Sequence, residues 1–163
     1  MRWIALAALG WTLAAAGAAQ AATTNGNLTI GASILDTCSV ANGSLDFGTV
    51  DPAAGVVVPV TTTISVTCSL GVTFSVGLGD GANFSGGNRR MYSAGSTDYL
   101  TYGLYKDLLV SQRFGEAVAG ERVAGQIGLG LVPNLIPVFG AIPAAQSARG
   151  GTYADTVLVT VHY

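Results

Sequence analysis

The chain has 163 residues, of which 50% are apolar and only 10% charged, with 23 glycines and a formal net charge of −2. An average soluble domain carries about 25% charged residues. The low charge excludes a nucleic-acid-binding protein, which needs a surplus of Lys and Arg. The high apolar content excludes a disordered chain, and the length is that of a single domain.

The first 21 residues predict a secretory signal peptide. Arg2 is followed by an uncharged apolar stretch over residues 3–17, and Ala19-Gln20-Ala21 fits the cleavage pattern of a signal peptidase. The alternative is an uncleaved membrane anchor, but the apolar stretch is shorter than the roughly 20 residues that a membrane-spanning helix needs. We therefore expect export, with cleavage after Ala21.

The remaining sequence alternates apolar and polar residues with a period of two, which is the pattern of half-buried β-strands. Five such segments occupy residues 28–34, 60–68, 72–78, 100–104 and 157–163, separated by turn residues such as Asn42-Gly43 and Gly79-Asp80-Gly81. Residues 121–143 contain three prolines, so we expect edge strands or an irregular crossing there. The pattern predicts an all-β sandwich in one domain.

The two cysteines of the exported chain, Cys38 and Cys68, are predicted to form a disulfide bond, since an isolated pair in an oxidising compartment does so most simply. The competing interpretation is a metal site. His162 is the only histidine that could join the cysteines, and zinc needs four ligands. Cys68 falls on the apolar face of its segment, which places the bond in the core.

Residues that could carry catalysis or bind ligands are sparse. His162 lies on the polar face of the last segment, where we expect a solvated side chain rather than part of a Ser-His-Asp triad. Asp80 has too few oxygen neighbours for calcium, so a turn is expected, and Arg89-Arg90 is predicted to be the solvated flank of a turn. We therefore expect no catalytic residue, no metal or other cofactor, no small-molecule substrate and no enzymatic activity.

The two ends of the exported chain suggest polymerisation. Residues 153–163 read as a strong strand with nothing after it to pair with, and residues 22–36 alternate directly before Cys38 with little room to turn back. A sandwich that lacks one strand and carries a spare one can lend its strand to the next copy. Such a head-to-tail arrangement does not close into a ring.

Several segments in order along the chain resemble the spore coat protein U domain family, which contains the pilins of archaic (Csu-type) chaperone–usher pili. The segments are Cys38-Ser39-Val40, Leu45-Asp46-Phe47-Gly48, Ile64-Ser65-Val66-Thr67-Cys68, Arg90-Met91, Leu100-Thr101-Tyr102-Gly103-Leu104-Tyr105-Lys106-Asp107, Val138-Phe139-Gly140-Ala141-Ile142-Pro143 and Gly151-Thr152-Tyr153-Ala154-Asp155-Thr156-Val157. The resemblance implies an incomplete immunoglobulin-like sandwich without its last strand. It also implies three kinds of partner, namely other pilin subunits, a periplasmic chaperone and an outer-membrane usher.

Applied to this sequence, the resemblance implies a donor strand over residues 22–36 and a pilin domain over residues 37–163. The donor side chains would be Leu28, Ile30, Ala32 and Ile34, and the acceptor groove would be bordered by Val157, Val159, Val161 and Tyr163. The implied function is that of a structural subunit of a secreted adhesive pilus, which polymerises by donor-strand exchange and supports surface attachment and biofilm formation. The subunit would reach the cell surface by way of the periplasm.

Two other functions fit parts of the sequence. A small outer-membrane β-barrel also ends in an alternating strand with a terminal aromatic residue, as Tyr163 does, although most of the alternating segments are shorter than the 9–11 residues that barrel strands need. The second alternative is a secreted coat or matrix protein of the same fold that forms no pilus.

Overall fold

The computed structural model describes residues 22–54 and 58–163, so the predicted signal peptide lies outside the described residues. The chain divides into two units between Ser33 and Ile34. In the first unit, residues 22–33 form no helix or strand and their side chains are exposed. The second unit is a β-sandwich.

The sandwich contains eight strands among the described residues. They are β1 (Cys38–Val40), β2 (Val58–Cys68), β3 (Thr73–Leu78), β4 (Arg89–Ser93), β5 (Asp98–Tyr105), β6 (Val123–Ile127), β7 (Asn134–Ile142) and β8 (Val159–His162). One short 3-10 helix, Ala119–Glu121, precedes β6. The predicted all-β class is confirmed.

The strands form two antiparallel sheets. The larger sheet has the order β1-β2-β7-β5-β4, and the smaller has the order β6-β3-β8. The longest pairing joins β2 to β7 over nine residue pairs, from Val58↔Ile142 to Val66↔Asn134. Strand β8 therefore lies at the edge of the smaller sheet, next to β3 alone.

The core fills the space between the sheets with side chains from alternate positions of each strand. On β3, Phe74, Val76 and Leu78 are almost fully buried, and the facing sheet contributes Val66 and Ile136 among others. Successive residues of a strand point to opposite faces. The alternation in the sequence therefore identified the buried face of β2, β3 and β5 correctly.

The disulfide bond between Cys38 and Cys68 joins β1 to β2, where the two residues are direct partners in the ladder. Cys68 is 1% exposed and belongs to the core cluster. The bond therefore fixes the start of β1, the point at which residues 22–36 join the larger sheet.

The prediction of edge strands or an irregular crossing for residues 121–143 is wrong for the second half of that range. Strand β7 lies inside the larger sheet, between β2 and β5. Pro133 and Pro143 flank β7 at its two ends, and Pro137 lies outside the stretch Phe139–Ala141 that pairs with β5. A proline lacks a backbone N–H, and at this position no β5 partner needs it. Strand β6 does lie at an edge, as expected.

The alternation at residues 28–34 also predicts a strand, but residues 22–36 form none in this structure. Leu28, Ile30 and Ile34 are 84%, 85% and 90% exposed. A β-strand satisfies its backbone groups only through a neighbouring strand. Residues 28–34 therefore have the alternation of a strand, but no described strand pairs with them.

Candidate functional site: an open cleft beside strand β8

Strand β8 is paired along one edge only. Its register against β3 runs from Leu78↔Val159 to Ser75↔His162, and the carbonyl oxygen of Leu158 accepts a hydrogen bond from the Gly79 amide at 2.9 Å. Since N–H and C=O groups alternate in direction along a strand, the even-numbered residues direct theirs to β3. The backbone groups of Val157, Val159 and Val161 point the other way, to an edge with which no strand of the described residues pairs.

An apolar cleft of about 430 Å³ opens along this edge. Val157 and Val159 form the wall on the β8 side, and both are partly buried against the core. The opposite wall is the segment that follows β1, and the floor consists of core side chains. The lining residues of these two parts include Ala41, Gly43, Ser44, Leu45, Phe47, Ile64, Leu78, Tyr102, Leu104 and Val138.

Leu45 and Phe47 hold the opposite wall in place by packing on a glycine. A β-carbon at Gly140 of β7 would lie only 2.9 Å from Leu45 Cδ1 and 3.0 Å from Phe47 Cζ. The Phe47 ring also meets Tyr102 edge to face, with 6.2 Å between the ring centroids. A side chain at position 140 would therefore push both residues into the cleft.

Beyond Leu45 and Phe47 the cleft continues into a second cavity of about 480 Å³. Met91 and Tyr153 line both cavities, together with Leu45 and Phe47. The second cavity has more polar walls, which include Asp46, Thr49, Arg149 and Thr152. The apolar part of the cleft is thus confined to the part beside Val157 and Val159.

The start of the β8 wall is anchored by a polar cluster. The Tyr102 hydroxyl donates to Asp155 Oδ2 at 2.6 Å, and the backbone and side-chain N–H groups of Asn83 donate to Asp155 Oδ1 at 3.2 and 3.0 Å. Burial, reinforced by the Asp155 carboxylate, raises the pKa of Tyr102 well above its usual value, so the hydroxyl stays a donor. One residue earlier, Ala154 exchanges two backbone hydrogen bonds with Tyr92 of β4.

The prediction that Arg89 is a solvated turn flank is wrong. Arg89 begins β4 and is 3% exposed, and its guanidinium donates to the carbonyl oxygens of Leu78, Gly79 and Phe114. Burial lowers the pKa of Arg89, with the nearby Arg113 as a second cause. The side chain ties the end of β3 to β4 and the segment after β5. No pattern in the sequence predicts this role, because these carbonyl oxygens belong to distant backbone segments.

The four predicted acceptor residues lie in three different surroundings in the structure. Val157 and Val159 line the cleft, Val161 packs against the core, and Tyr163 follows the end of β8 with 63% of its surface exposed. The wall of the cleft opposite β8 was missed. Its one signal was the short alternation in Leu45-Asp46-Phe47, which is too brief to predict an element.

The remaining candidates from the sequence are the possible metal ligands. Within the described residues, no group of three or more His, Cys, Asp or Glu side chains could hold a metal ion. Asp80 is paired with Arg113 at 2.5 Å. The described part of the chain also contains no helix of the length and hydrophobicity that crossing a membrane requires.

Residues 23–160 match the family model of the Spore Coat Protein U domain. The chain belongs to this family. It is 36% identical to Protein U of Myxococcus xanthus over 171 residues, which cover 93% of this chain and 92% of that protein.

A solved structure extends the comparison to the fold. The chain is similar to a chain in the crystal structure of the CsuC–CsuE complex, with a TM-score of 0.58 and 26% identity. That complex is a chaperone–tip adhesion subunit pre-assembly complex from the archaic chaperone–usher Csu pili of Acinetobacter baumannii. The match covers 80% of this chain but only 40% of the chain in that structure. The family model and this solved structure together confirm the resemblance noted in the sequence and the fold class. They also confirm a location at the cell surface that is reached through the periplasm.

Proposed function

We propose that the protein is a structural subunit of an adhesive chaperone–usher pilus, and that it polymerises by donor-strand exchange. The observation that carries the proposal is the unpaired edge of β8 beside an apolar cleft. An exposed strand edge is a template for pairing with another chain, and soluble proteins protect such edges. A second copy that added a strand here would satisfy the backbone groups of Val157, Val159 and Val161.

Residues 22–36 have the properties of that added strand. Leu28, Ile30, Ala32 and Ile34 alternate with polar residues, and three of these four side chains are at least 84% exposed. Burial of a medium-sized apolar side chain contributes about 1.5–3 kcal/mol. Leu28, Ile30 and Ile34 are of that size, so three such contacts and a new ladder of backbone hydrogen bonds would stabilise the joint between two subunits.

The contacts of Thr37 favour a donor strand that comes from another copy. The backbone groups of Thr37 are bonded to Ser69, at 2.9 Å for the Ser69 N–H to the Thr37 carbonyl and 3.2 Å for the Thr37 N–H to Ser69 Oγ. Cys38 follows at once with its disulfide bond. The segment after β1 already forms a wall of the cleft. To enter the cleft of their own copy, residues 22–36 would therefore have to reverse direction just before Thr37 and Cys38, which these bonds hold in place.

The partners follow from the same cleft. Until a donor strand arrives, the apolar cleft needs a cover, and a periplasmic chaperone fits this role because the similar solved structure is a chaperone–subunit complex. An outer-membrane usher would then exchange the chaperone for the next subunit. Surface attachment and biofilm formation would be properties of the finished fibre, and no enzymatic activity is proposed.

The test compares Ile30→Asp with Thr29→Asp. In an alternating strand these neighbours face opposite sides, so only Ile30→Asp buries a charge in the cleft, at a large cost in free energy. We expect the Ile30→Asp subunit to remain soluble in its chaperone complex without forming surface fibres under the electron microscope, whereas Thr29→Asp forms them. Normal fibres from Ile30→Asp would contradict the donor assignment.

A secreted coat protein that forms no pilus is the second candidate. The 36% identity to Protein U and the spore coat name of the family favour it. The two candidate functions differ in what the protein forms at the cell surface, which is a layer for the coat protein and a fibre for the pilus subunit. An amorphous layer that persists when the usher gene is deleted would support the coat, whereas loss of thin fibres in the same strain would support the pilus.

A further inference from the structure

A carboxylate from the segment after β5 reaches across β3 to the end of β8. Glu116 Oε1 lies 2.6 Å from His162 Nε2 and 3.1 Å from the guanidinium of Arg122. Arg122 also donates through Nε to the Glu116 carbonyl at 2.9 Å. His162 is the last residue of β8, so Glu116 connects that strand end to the segment before β6.

Gly77 leaves the space for this crossing. It lies in β3 opposite Thr160 of β8. A β-carbon at position 77 would collide with Glu116 Oε2 and would come within 2.7 Å of the carboxylate carbon. The carboxylate therefore occupies the space that a side chain on the outer face of β3 would fill.

Among the side chains that the structure describes, Glu116 is the carboxylate in contact with His162. Neither β3, which pairs with β8, nor β1 carries an ionisable side chain, since Cys38 is in a disulfide bond. Arg113, Asp80 and Glu121 form a separate cluster, in which Arg113 pairs with both carboxylates. The contact between Glu116 and His162 can therefore be removed without disturbing that cluster.

The position of this contact matters because β8 is otherwise weakly held. It has four residues, all half-buried, and one paired edge. Short edge elements open locally at a lower free energy than core strands. The Asp155 cluster anchors the chain before β8, and the Glu116–His162 contact anchors the other end.

We propose that Glu116 is a positioning residue for strand acceptance: through His162 it holds the end of β8 on β3, so that the open edge is already in place when a donor strand arrives. This inference rests on the proposed function, because it assigns a role in donor binding to a residue outside the cleft. Hydrogen bonds to charged groups are roughly twice as strong as neutral ones. Loss of the contact should therefore loosen β8 measurably.

The experiment starts from the mature chain in its chaperone complex, in which a synthetic peptide of residues 22–36 replaces the chaperone to give a peptide-filled subunit. Glu116→Gln is compared with Glu121→Gln, a neighbouring carboxylate that pairs with Arg113 instead of β8. For Glu116→Gln we expect faster amide exchange at Thr160 and His162, whose amides face β3, and on the order of tenfold faster peptide release. Glu121→Gln and the amides of β7 should match the wild type.

A second pair of variants keeps the test decisive if Glu116→Gln fails to fold. His162→Arg supplies a nitrogen donor for Glu116 and should behave as the wild type, whereas His162→Leu should reproduce the fast exchange and fast release. Unchanged exchange and release in both Glu116→Gln and His162→Leu would overturn the role of Glu116. Failure of the peptide to bind the wild type would instead count against donor-strand exchange, while the exchange data would still decide whether Glu116 holds β8.

Discussion

Residues 28–34 and residues 157–163 carry nearly the same alternating pattern, yet only the second segment contains a strand. Residues 159–162 pair with β3, whereas residues 28–34 are exposed and form no secondary structure. The difference lies in the partner, because residues 159–162 pair with β3 whereas residues 28–34 pair with no described strand. Under the proposed function the two segments complement each other: residues 28–34 of one copy would pair with the open edge of β8 in the next.

The largest expected effect comes from a substitution in β8, the proposed acceptor strand. Val159→Asp places a charge in the wall of the cleft, where the side chain is partly buried against the core. We expect little subunit to accumulate in the periplasm, since a carboxylate packed against the core is costly and a domain is stable by only about 5–15 kcal/mol. Leu158→Asp, at a side chain on the other face that is 73% exposed, is the control and should accumulate. Equal periplasmic levels on immunoblots would show that the wall tolerates a charge.

The disulfide bond should have the next largest effect. Replacing Cys38 and Cys68 by Ala opens a 30-residue loop, and the chain-entropy model assigns such a loop roughly 3.5 kcal/mol. We expect the guanidinium midpoint of the peptide-filled subunit to fall accordingly. Because the bond lies at the base of residues 22–36, its loss should also raise protease cleavage near Thr37. A midpoint equal to that of the wild type would mean that the other β1–β2 contacts are sufficient.

A smaller effect is expected from a substitution in the proposed donor strand, residues 22–36. Ala32 removes the least apolar surface of the four donor side chains, and each added methylene is worth about 0.8 kcal/mol when buried. Ala32→Leu adds three carbons and should therefore slow the release of the donor peptide by roughly fifty-fold. Ser33→Leu, on the opposite face, provides the comparison and should leave the release rate unchanged. Faster release from Ala32→Leu would indicate a close-fitting pocket at that position.

The sequence was sufficient for most of the fold, and the reasons for its failures are physical. Alternation identified β2, β3 and β5, and Cys68 was correctly placed in the core, because these features depend on local pattern. The prolines around β7 misled, since their effect depends on which edge the neighbouring strand occupies. Arg89 and the Glu116–His162 contact could not be predicted, because their partners lie 10 to 46 residues away and meet only in the folded sheets.

The candidate site was predicted only in part for the same reason. The wall formed by Val157 and Val159 follows from the alternation of a single segment. Leu45 and Phe47, on the opposite wall, depend on the empty space above Gly140 in a strand more than 90 residues later. A cleft between two distant segments leaves a pattern in neither of them.

The most direct test is amide hydrogen exchange at residues 157–162 in a chaperone-free Ile30→Asp subunit, whose own segment cannot serve as a donor, with and without the wild-type peptide of residues 22–36. The amides of Thr160 and His162 face β3 and should be protected in both states, whereas those of Val157, Val159 and Val161 face the cleft and should become protected only with the peptide. This alternation along one strand is the predicted result. Protection of Val157, Val159 and Val161 without the peptide, or no change when it binds, would contradict the account of β8 as the acceptor edge.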